Sequence, residues 1–331
     1  MRSKKPNTED SIIQKISLSK LNTFNNNLFV KREDLIHNII SGNKWRKLKY
    51  NFKYCIDNKK SGILTFGGAF SNHLIATAEA SRIFKIPCVG IVRGEELNEK
   101  SNHILNSCFQ KGMKLEFMKR GDYRSLNNAI KLLDHKNHSE NDKSELILKK
   151  FREDFPQYIN HHLIPEGGAN NLGVLGCTEI INLEKNLPSF DWIVLAQGTT
   201  TTSVGILKKL KEQGINSTKL LVVPALKGFD SIKEMSELLK RSNFATKSSG
   251  IVDDSLFLNK ILRVADSYHF GGFSKTTPEL LSFIEEMTSE LGFQIEPSYN
   301  AKALFALVDI VRKENWRNQN ILYIHTGGYF Q

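Results

Sequence analysis

Short apolar runs, bounded by Gly, Pro, Asn and charged residues, recur along the 331-residue chain. Leu28-Phe29-Val30, Ile63-Leu64-Thr65-Phe66, Pro87-Cys88-Val89-Gly90-Ile91-Val92 and Leu115-Glu116-Phe117-Met118 have the length and content of strands. A second set follows at His162-Leu163-Ile164, Trp192-Ile193-Val194-Leu195-Ala196, Leu220-Leu221-Val222-Val223-Pro224 and Ile321-Leu322-Tyr323-Ile324-His325. Helical spacing separates them. Trp45, Leu48, Phe52 and Cys55 share one helical face, an alanine-rich helix runs to about Ile83, and others lie near 101–111, 125–134 and up to about Gln213. Thr277-Pro278-Glu279 opens a further helix with a cap, a proline at the first turn and an acid at the positive end; Gly292 closes it. Strands alternating with helices at this interval predict βαβ units and parallel sheets. Residues 11–40 read as an entry segment holding the Leu28–Val30 strand and a charged turn at Lys31–Leu35. Residues 134–156, rich in Lys, Asp, Glu, Asn and His, interrupt the rhythm and predict an exposed helix and loop near a lobe boundary.

Composition narrows the class. A hydrophobic content of 40% over this length supports one large α/β unit or two lobes with their own cores. The net charge of +11 and pI of about 9.3 suit anionic small molecules as well as nucleic acid. No Lys/Arg block is interleaved with aromatics, so nucleic acid is not the expected partner. Cys55, Cys88, Cys108 and Cys177 form no CxxC pair, which argues against a zinc site and a disulfide framework. The start, MRSKKPNTEDSIIQKI, lacks an apolar run, and no segment reaches the length of a bilayer span. A reducing, cytoplasmic setting without membrane attachment is expected.

Four polar stretches beside apolar elements carry candidate chemistry. Lys44 follows a Ser41-Gly42-Asn43 turn and sits at the first turn of a helix, off its apolar face. A lysine there becomes a nucleophile when burial or neighbouring positive charge lowers its pKa. Gln197-Gly198-Thr199-Thr200-Thr201-Thr202-Ser203 joins a strand to a helix, where backbone N–H groups and hydroxyls bind phosphate. It has neither Walker A nor GxGxxG spacing, so nucleoside triphosphates and dinucleotides are disfavoured. Gly67-Gly68-Ala69-Phe70-Ser71-Asn72-His73 occupies a similar junction. Without a GxSxG elbow around Ser71, a hydrolase triad is disfavoured. The remaining stretches are Glu296-Pro297-Ser298-Tyr299-Asn300-Ala301-Lys302 and Tyr323-Ile324-His325-Thr326-Gly327-Gly328.

Taken in order, KREDL at 31–35, SGNKWRKL at 41–48, GGAFSNH at 67–73, EGGAN at 166–170, VLAQGTTTTSVG at 194–205, EPSYNAK at 296–302 and IHTGG at 324–328 resemble the family of PLP-dependent 1-aminocyclopropane-1-carboxylate (ACC) deaminases and D-cysteine desulfhydrases, of the tryptophan-synthase-β-like fold type. The resemblance implies an α/β protein of two lobes with open, mostly parallel sheets flanked by helices, and PLP in the cleft. Residues 1–47 with 161–331 are expected to form the larger, PLP-binding domain and 48–160 a smaller inserted one. It further implies that Lys44 holds PLP covalently, that Asn72 meets the phenolic oxygen of the cofactor, and that Gly198, Thr199, Thr200, Thr201 and Thr202 cradle its phosphate. Asn300 and Thr326 complete the implied cofactor contacts. Ser71, Asn72, His73, Gly168 and Tyr299 are implied at the substrate, with Lys44, Ser71 and Tyr299 in catalytic roles. A small amino-acid substrate and a homodimer are the implied partners.

The departures from the family pattern bear on specificity. ACC deaminases carry glutamate at the position of Asn300 and leucine at that of Thr326; the resembling desulfhydrases share Thr326 but carry threonine at the position of Asn300. A carboxylate keeps the pyridine nitrogen protonated, and an amide does so much less. Phe273 stands where the family has a second tyrosine, and Thr200 where it has a glycine. D-Cysteine desulfhydrase-type α,β-elimination to pyruvate, sulfide and ammonia is therefore the leading expectation, with Lys44 or Ser71 as the base. ACC ring opening to 2-oxobutyrate and ammonia, action on another small amino acid, a weakly active or non-catalytic PLP-binding homologue and a basic nucleic-acid binder are the alternatives.

Overall fold

The buried apolar runs form two sheets in a computed structural model that describes residues 4–133, 143–181, 189–242 and 254–328. In chain order the strands are β1 (Ile13–Ile16), β2 (Asn27–Arg32), β3 (Gly62–Gly67), β4 (Cys88–Arg93), β5 (Lys114–Met118), β6 (His161–Ile164), β7 (Trp192–Gln197), β8 (Lys219–Pro224), β9 (Leu262–Val264) and β10 (Asn320–His325). The chain divides into two units, one of Met1–Pro6 with Lys44–Cys177 and one of Asn7–Asn43 with Thr178–Gln331.

The first unit holds a sheet of order β5-β4-β3-β6, parallel throughout. Every residue of β3 is buried, as expected of a parallel strand covered on both faces. Leu64, Phe66, Val89 and Ile91 of this sheet pack with Tyr123, Leu126 and Ile130 of the helix Arg120–Leu132. That helix begins earlier than the 125 expected, because Tyr123 lies on the same apolar face as Leu126 and Ile130. The segment expected to be an exposed helix and loop is corrected in part. Within the helix Lys143–Asp154, Leu146 is 61% exposed, but Leu148 and Phe151 enter the core at 2% and 6%. The rest of that expectation, at 134–142, lies outside the described residues. The unit extends past the 48–160 expected from the sequence. Helices Asn43–Asp57 and Asn171–Thr178 pack so closely that a Cβ on Gly176 would stand 1.8 Å from the Arg46 carbonyl oxygen.

The second unit holds a sheet of order β1-β2-β10-β7-β8-β9, in which β1 is antiparallel to β2 and the remaining neighbours are parallel. Its core joins Val30, Val194, Leu221 and Tyr323 of the sheet to Leu280, Met287, Leu304 and Leu307 of helices Pro278–Leu291 and Asn300–Glu314. Thr277 caps the first of these helices through its hydroxyl, and Gly292 closes it at φ 73°, as the sequence predicts. β1 and β9 escape the pattern reading. Gln14 and Lys15 leave β1 mostly exposed, and β9 has only three half-buried residues. The four cysteines are buried and unbridged. Burial pushes the Cys88 thiol up to about 11 and that of Cys108 up to about 12. Among the described residues no helix is long and apolar enough to cross a membrane.

In each sheet the chain reverses its winding direction once, between β3 and β6 in the first and between β7 and β10 in the second. Ligands of open α/β sheets bind outside the carboxyl ends of the strands flanking such a reversal. GGAFSNH leaves the end of β3, EGGAN the end of β6, the threonine loop the end of β7 and the Thr326-Gly327-Gly328 turn the end of β10.

Candidate active site

In the second unit four of the sequence stretches come together. The helix Thr201–Glu212 starts directly after the β7 loop, and its first turn holds no acidic residue. Thr200, Thr201 and Thr202 are buried, while Gly198 and Thr199 are partly open. Gln197 anchors the loop from below: its side-chain Oε1 accepts from Ser203 Oγ at 2.9 Å and its Nε2 donates to Ser231 Oγ at 2.8 Å. Tyr299 stands over the loop, and a Cβ on Gly198 would lie 2.9 Å from Tyr299 Cε1. A side chain at position 198 would push the Tyr299 ring aside.

The Ser41-Gly42-Asn43 turn closes on the same place. Asn43 Nδ2 donates to Thr202 Oγ1 at 2.9 Å, and Asn43 N donates to the Thr326 carbonyl at 3.2 Å. Gly328 N donates to Ser41 Oγ at 3.2 Å. Gly42 adopts φ 60°, and a Cβ there would sit 2.0 Å from the Thr326 oxygen, so both its conformation and its contact demand glycine. Lys44 is the next residue in the chain and the second of the helix Asn43–Asp57.

Asn300 is fully buried at the start of its helix, and both ends of its amide are engaged. Oδ1 accepts from Thr326 N at 3.0 Å and from Thr326 Oγ1 at 3.1 Å, and Nδ2 donates to the Gly327 carbonyl at 2.6 Å. Glu296 supplies the cap that Tyr299 lacks, accepting from Ser298 N at 2.7 Å and Asn300 N at 3.1 Å. KREDL braces the same turn from β2. Asp34 accepts from Arg32 Nε at 2.9 Å and lies 3.3 Å from His325 Nδ1, and the Arg32 guanidinium covers the Phe293 ring at 3.8 Å.

In the first unit the face of Trp45, Leu48, Phe52 and Cys55 is buried as expected, and Lys44 is only partly so. Lys47 is 3% exposed, and burial pushes its amine down while the Cys177 thiol acts the other way. Ser71 caps the helix Asn72–Phe84, its Oγ accepting from Leu74 N at 3.3 Å, which leaves the hydroxyl proton to be donated elsewhere. Asn72 begins that helix and is partly exposed. Gly168, at φ 68°, sits against Lys47 and His73, with a Cβ position 3.0 Å from Lys47 Cβ and 3.7 Å from His73 Cε1.

His73 has a defined tautomer. The Thr65 hydroxyl donates to the Ile164 carbonyl at 3.0 Å, so at 2.9 Å from Thr65 Oγ1 the His73 Nε2 must be the donor. Nδ1 is then an acceptor, and it is buried without a partner. Burial, followed by the charges of Lys47 and Lys44, holds the ring down to about 3; burial and Lys60 hold His162 to about 4. Both rings are near 6.5 when unfolded, so below that pH the unfolded chain binds protons that the folded one refuses. Stability is full above about pH 6.5 and declines as pH falls toward these folded values. The urea midpoint is therefore expected to fall between pH 7 and pH 5, less so in a His162→Gln variant; an unchanged midpoint in the parent would contradict this.

A family model described as pyridoxal-phosphate dependent enzyme matches residues 12–327. The chain belongs to that family. Among named relatives of this pyridoxal-phosphate-dependent enzyme, the Arabidopsis thaliana bifunctional D-cysteine desulfhydrase/1-aminocyclopropane-1-carboxylate deaminase is 27% identical over 91% of this chain and 72% of its own length. The Serratia proteamaculans D-cysteine desulfhydrase is 23% identical over 94% of this chain and 89% of its own. A crystal structure of an ACC deaminase homologue superposes with a TM-score of 0.72 and 22% identity, covering 98% of this chain and 91% of that one. Its fold is shared.

The residues present fit PLP, the cofactor of the family. The glycine–threonine loop offers hydroxyls and the N–H groups of a helix start, with no acidic residue in the first helical turn to repel a phosphate. The unpartnered His73 Nδ1 is a buried acceptor of the kind that a bound molecule satisfies. Sequence reasoning named Lys44, the threonine loop and the SNH turn, but it gave no role to Ser41, Asn43 or Glu296. The Ser-Gly-Asn turn and an acid four residues before a helix start were the available signals.

Proposed function

We propose that this enzyme is a D-cysteine desulfhydrase-type lyase, converting D-cysteine or a similar small amino acid and water into pyruvate, sulfide and ammonia. Asn300 carries the choice of substrate. It is a fully buried amide committed to Thr326 and Gly327, so no carboxylate stands where ACC deaminases have one. When bound, PLP supplies the electron sink for negative charge developing at the substrate α-carbon. Elimination of sulfur from the β-carbon of a substrate that has an α-hydrogen asks less of that sink than opening a cyclopropane ring whose α-carbon has none.

On this proposal Lys44 holds the cofactor and Asn72 orients it. Gly198, Thr199, Thr200, Thr201 and Thr202 receive the phosphate on neutral donors, and Thr326, held by Asn300, faces the ring. The Ser71 hydroxyl and the Asn72–His73 backbone receive the substrate carboxylate, with Gly168 leaving room beside His73. Lys44 or Ser71 takes the α-proton while sulfur leaves the β-carbon, and Tyr299 borders the reacting atoms. We assign the role of the small domain to the unit of Met1–Pro6 with Lys44–Cys177, which carries Lys44 at its edge, and that of the large domain to the other unit. A cytoplasmic homodimer is the proposed form, by analogy with the resembling family.

ACC ring opening is the second proposal, favoured by the bifunctional name of the Arabidopsis relative. Incubating the PLP-loaded protein with D-cysteine and ACC together, and identifying keto acids by mass spectrometry, separates the two. Pyruvate without 2-oxobutyrate is expected; 2-oxobutyrate as the main product would overturn the desulfhydrase assignment.

A further inference from the structure

Lys302 is a charged side chain in an unfavourable place. It is fully buried in the first turn of the helix Asn300–Glu314, at the positive end of the helix dipole. Burial pushes its amine down, and the Glu296 carboxylate works in the other direction. Its ammonium donates to two backbone carbonyls, that of His269 at 2.9 Å and that of Gly272 at 2.8 Å.

The segment it grips has little regular structure to hold it. Phe270, Gly271 and Gly272 adopt φ of 51°, 92° and 123°. Local support comes from Gly272 N to the His269 carbonyl at 3.0 Å, from Gly271 N to His269 Nδ1 at 2.9 Å and from Lys275 N to the Gly272 carbonyl at 3.1 Å. The next residue, Phe273, sets its ring 5.5 Å from that of Tyr299 at an interplanar angle of 50°. Tyr299 in turn stands over Gly198. We infer that Lys302 is a positioning residue: by holding the His269 and Gly272 carbonyls it fixes Phe273 against Tyr299, and so sets the Tyr299 phenol over the Gly198–Thr202 loop. The catalytic consequence rests on the proposed function, in which Tyr299 borders the substrate.

The test uses the full PLP-loaded chain with fluorotyrosine incorporated, the Tyr299 fluorine resonance being the one lost in a Tyr299→Phe protein. In Lys302→Ala that resonance shifts or splits. Propylammonium, which replaces the deleted three carbons and the ammonium, restores it, whereas tetramethylammonium, with no N–H, does not. Keto-acid kcat falls by about 10²-fold, the scale of a misplaced catalytic group, with a smaller change in KM, and recovers with propylammonium. Lys302→Met keeps most of the packing and carries the same measurement if the alanine variant does not fold. A Tyr299 resonance unchanged in both variants, or a shift in Lys302→Ala that propylammonium leaves in place, overturns the inference; Lys302→Met is read by the shift alone. If the resonance behaves as expected but the parent releases no keto acid from either substrate, the positioning role stands and the proposed function fails.

Discussion

Alanine at position 44 is expected to stop keto-acid release from D-cysteine while leaving the chain folded. The buried face of the Asn43–Asp57 helix is made by Trp45, Leu48, Phe52 and Cys55, and Lys44 lies off it. Alanine is also the better helix former, so thermal unfolding should move little. Activity loses both the proposed covalent anchor and a candidate proton-transfer group. A fall of at least about 10²–10⁴-fold follows for the second role alone. The assay is keto acid formed per enzyme with PLP in excess, run beside a melting curve. Turnover at the parent rate in a folded Lys44→Ala protein would remove Lys44 from the mechanism.

The second large effect is on stability. Asn300→Asp replaces the amide N–H₂ that donates to the Gly327 carbonyl at 2.6 Å with an oxygen facing an oxygen, in a fully buried position. An unsatisfied buried polar group costs about 1–3 kcal/mol, and a charged one more. The direction with pH identifies the cause. Protonated aspartic acid can donate to Gly327, so the folded variant holds its proton more tightly than the unfolded chain does. Its deficit relative to the parent therefore grows as pH rises above the unfolded carboxyl value of about 3.9 toward the raised folded value. Melting curves of both proteins at pH 5 and pH 8 measure it. Equal melting temperatures at both pH values would mean that the Asn300 amide does not hold the Thr326–Gly327 turn.

What could be read from the sequence depended on how much apolar surface each segment buries. The strands at Ile63–Phe66, Trp192–Ala196 and Ile321–His325 were plain because their residues are almost all buried. β1 was not, because its Gln14 and Lys15 face outward and its partner β2 supplies the order. Phe151 was mistaken for part of an exposed segment because its neighbours along the helix are charged. The site motifs were visible as polar clusters after strands, but their partners were not. Nothing in the composition says that Asn43 reaches Thr202, or that Lys302 holds the carbonyls of a segment some thirty residues earlier. Such bonds depend on strand order, which brings β7 and β10 side by side although β8 and β9 lie between them in the chain.

The buried cysteines acquire a meaning beside the proposed release of sulfide. Sulfur exchange requires a thiolate that reagents can reach. Burial pushes the Cys88 and Cys108 thiols up to about 11 and about 12, so both stay protonated at neutral pH, and both side chains lie inside the core. These two positions are thereby shielded from exchange with disulfides and polysulfides, the oxidised forms that air makes from a thiol substrate and a sulfide product.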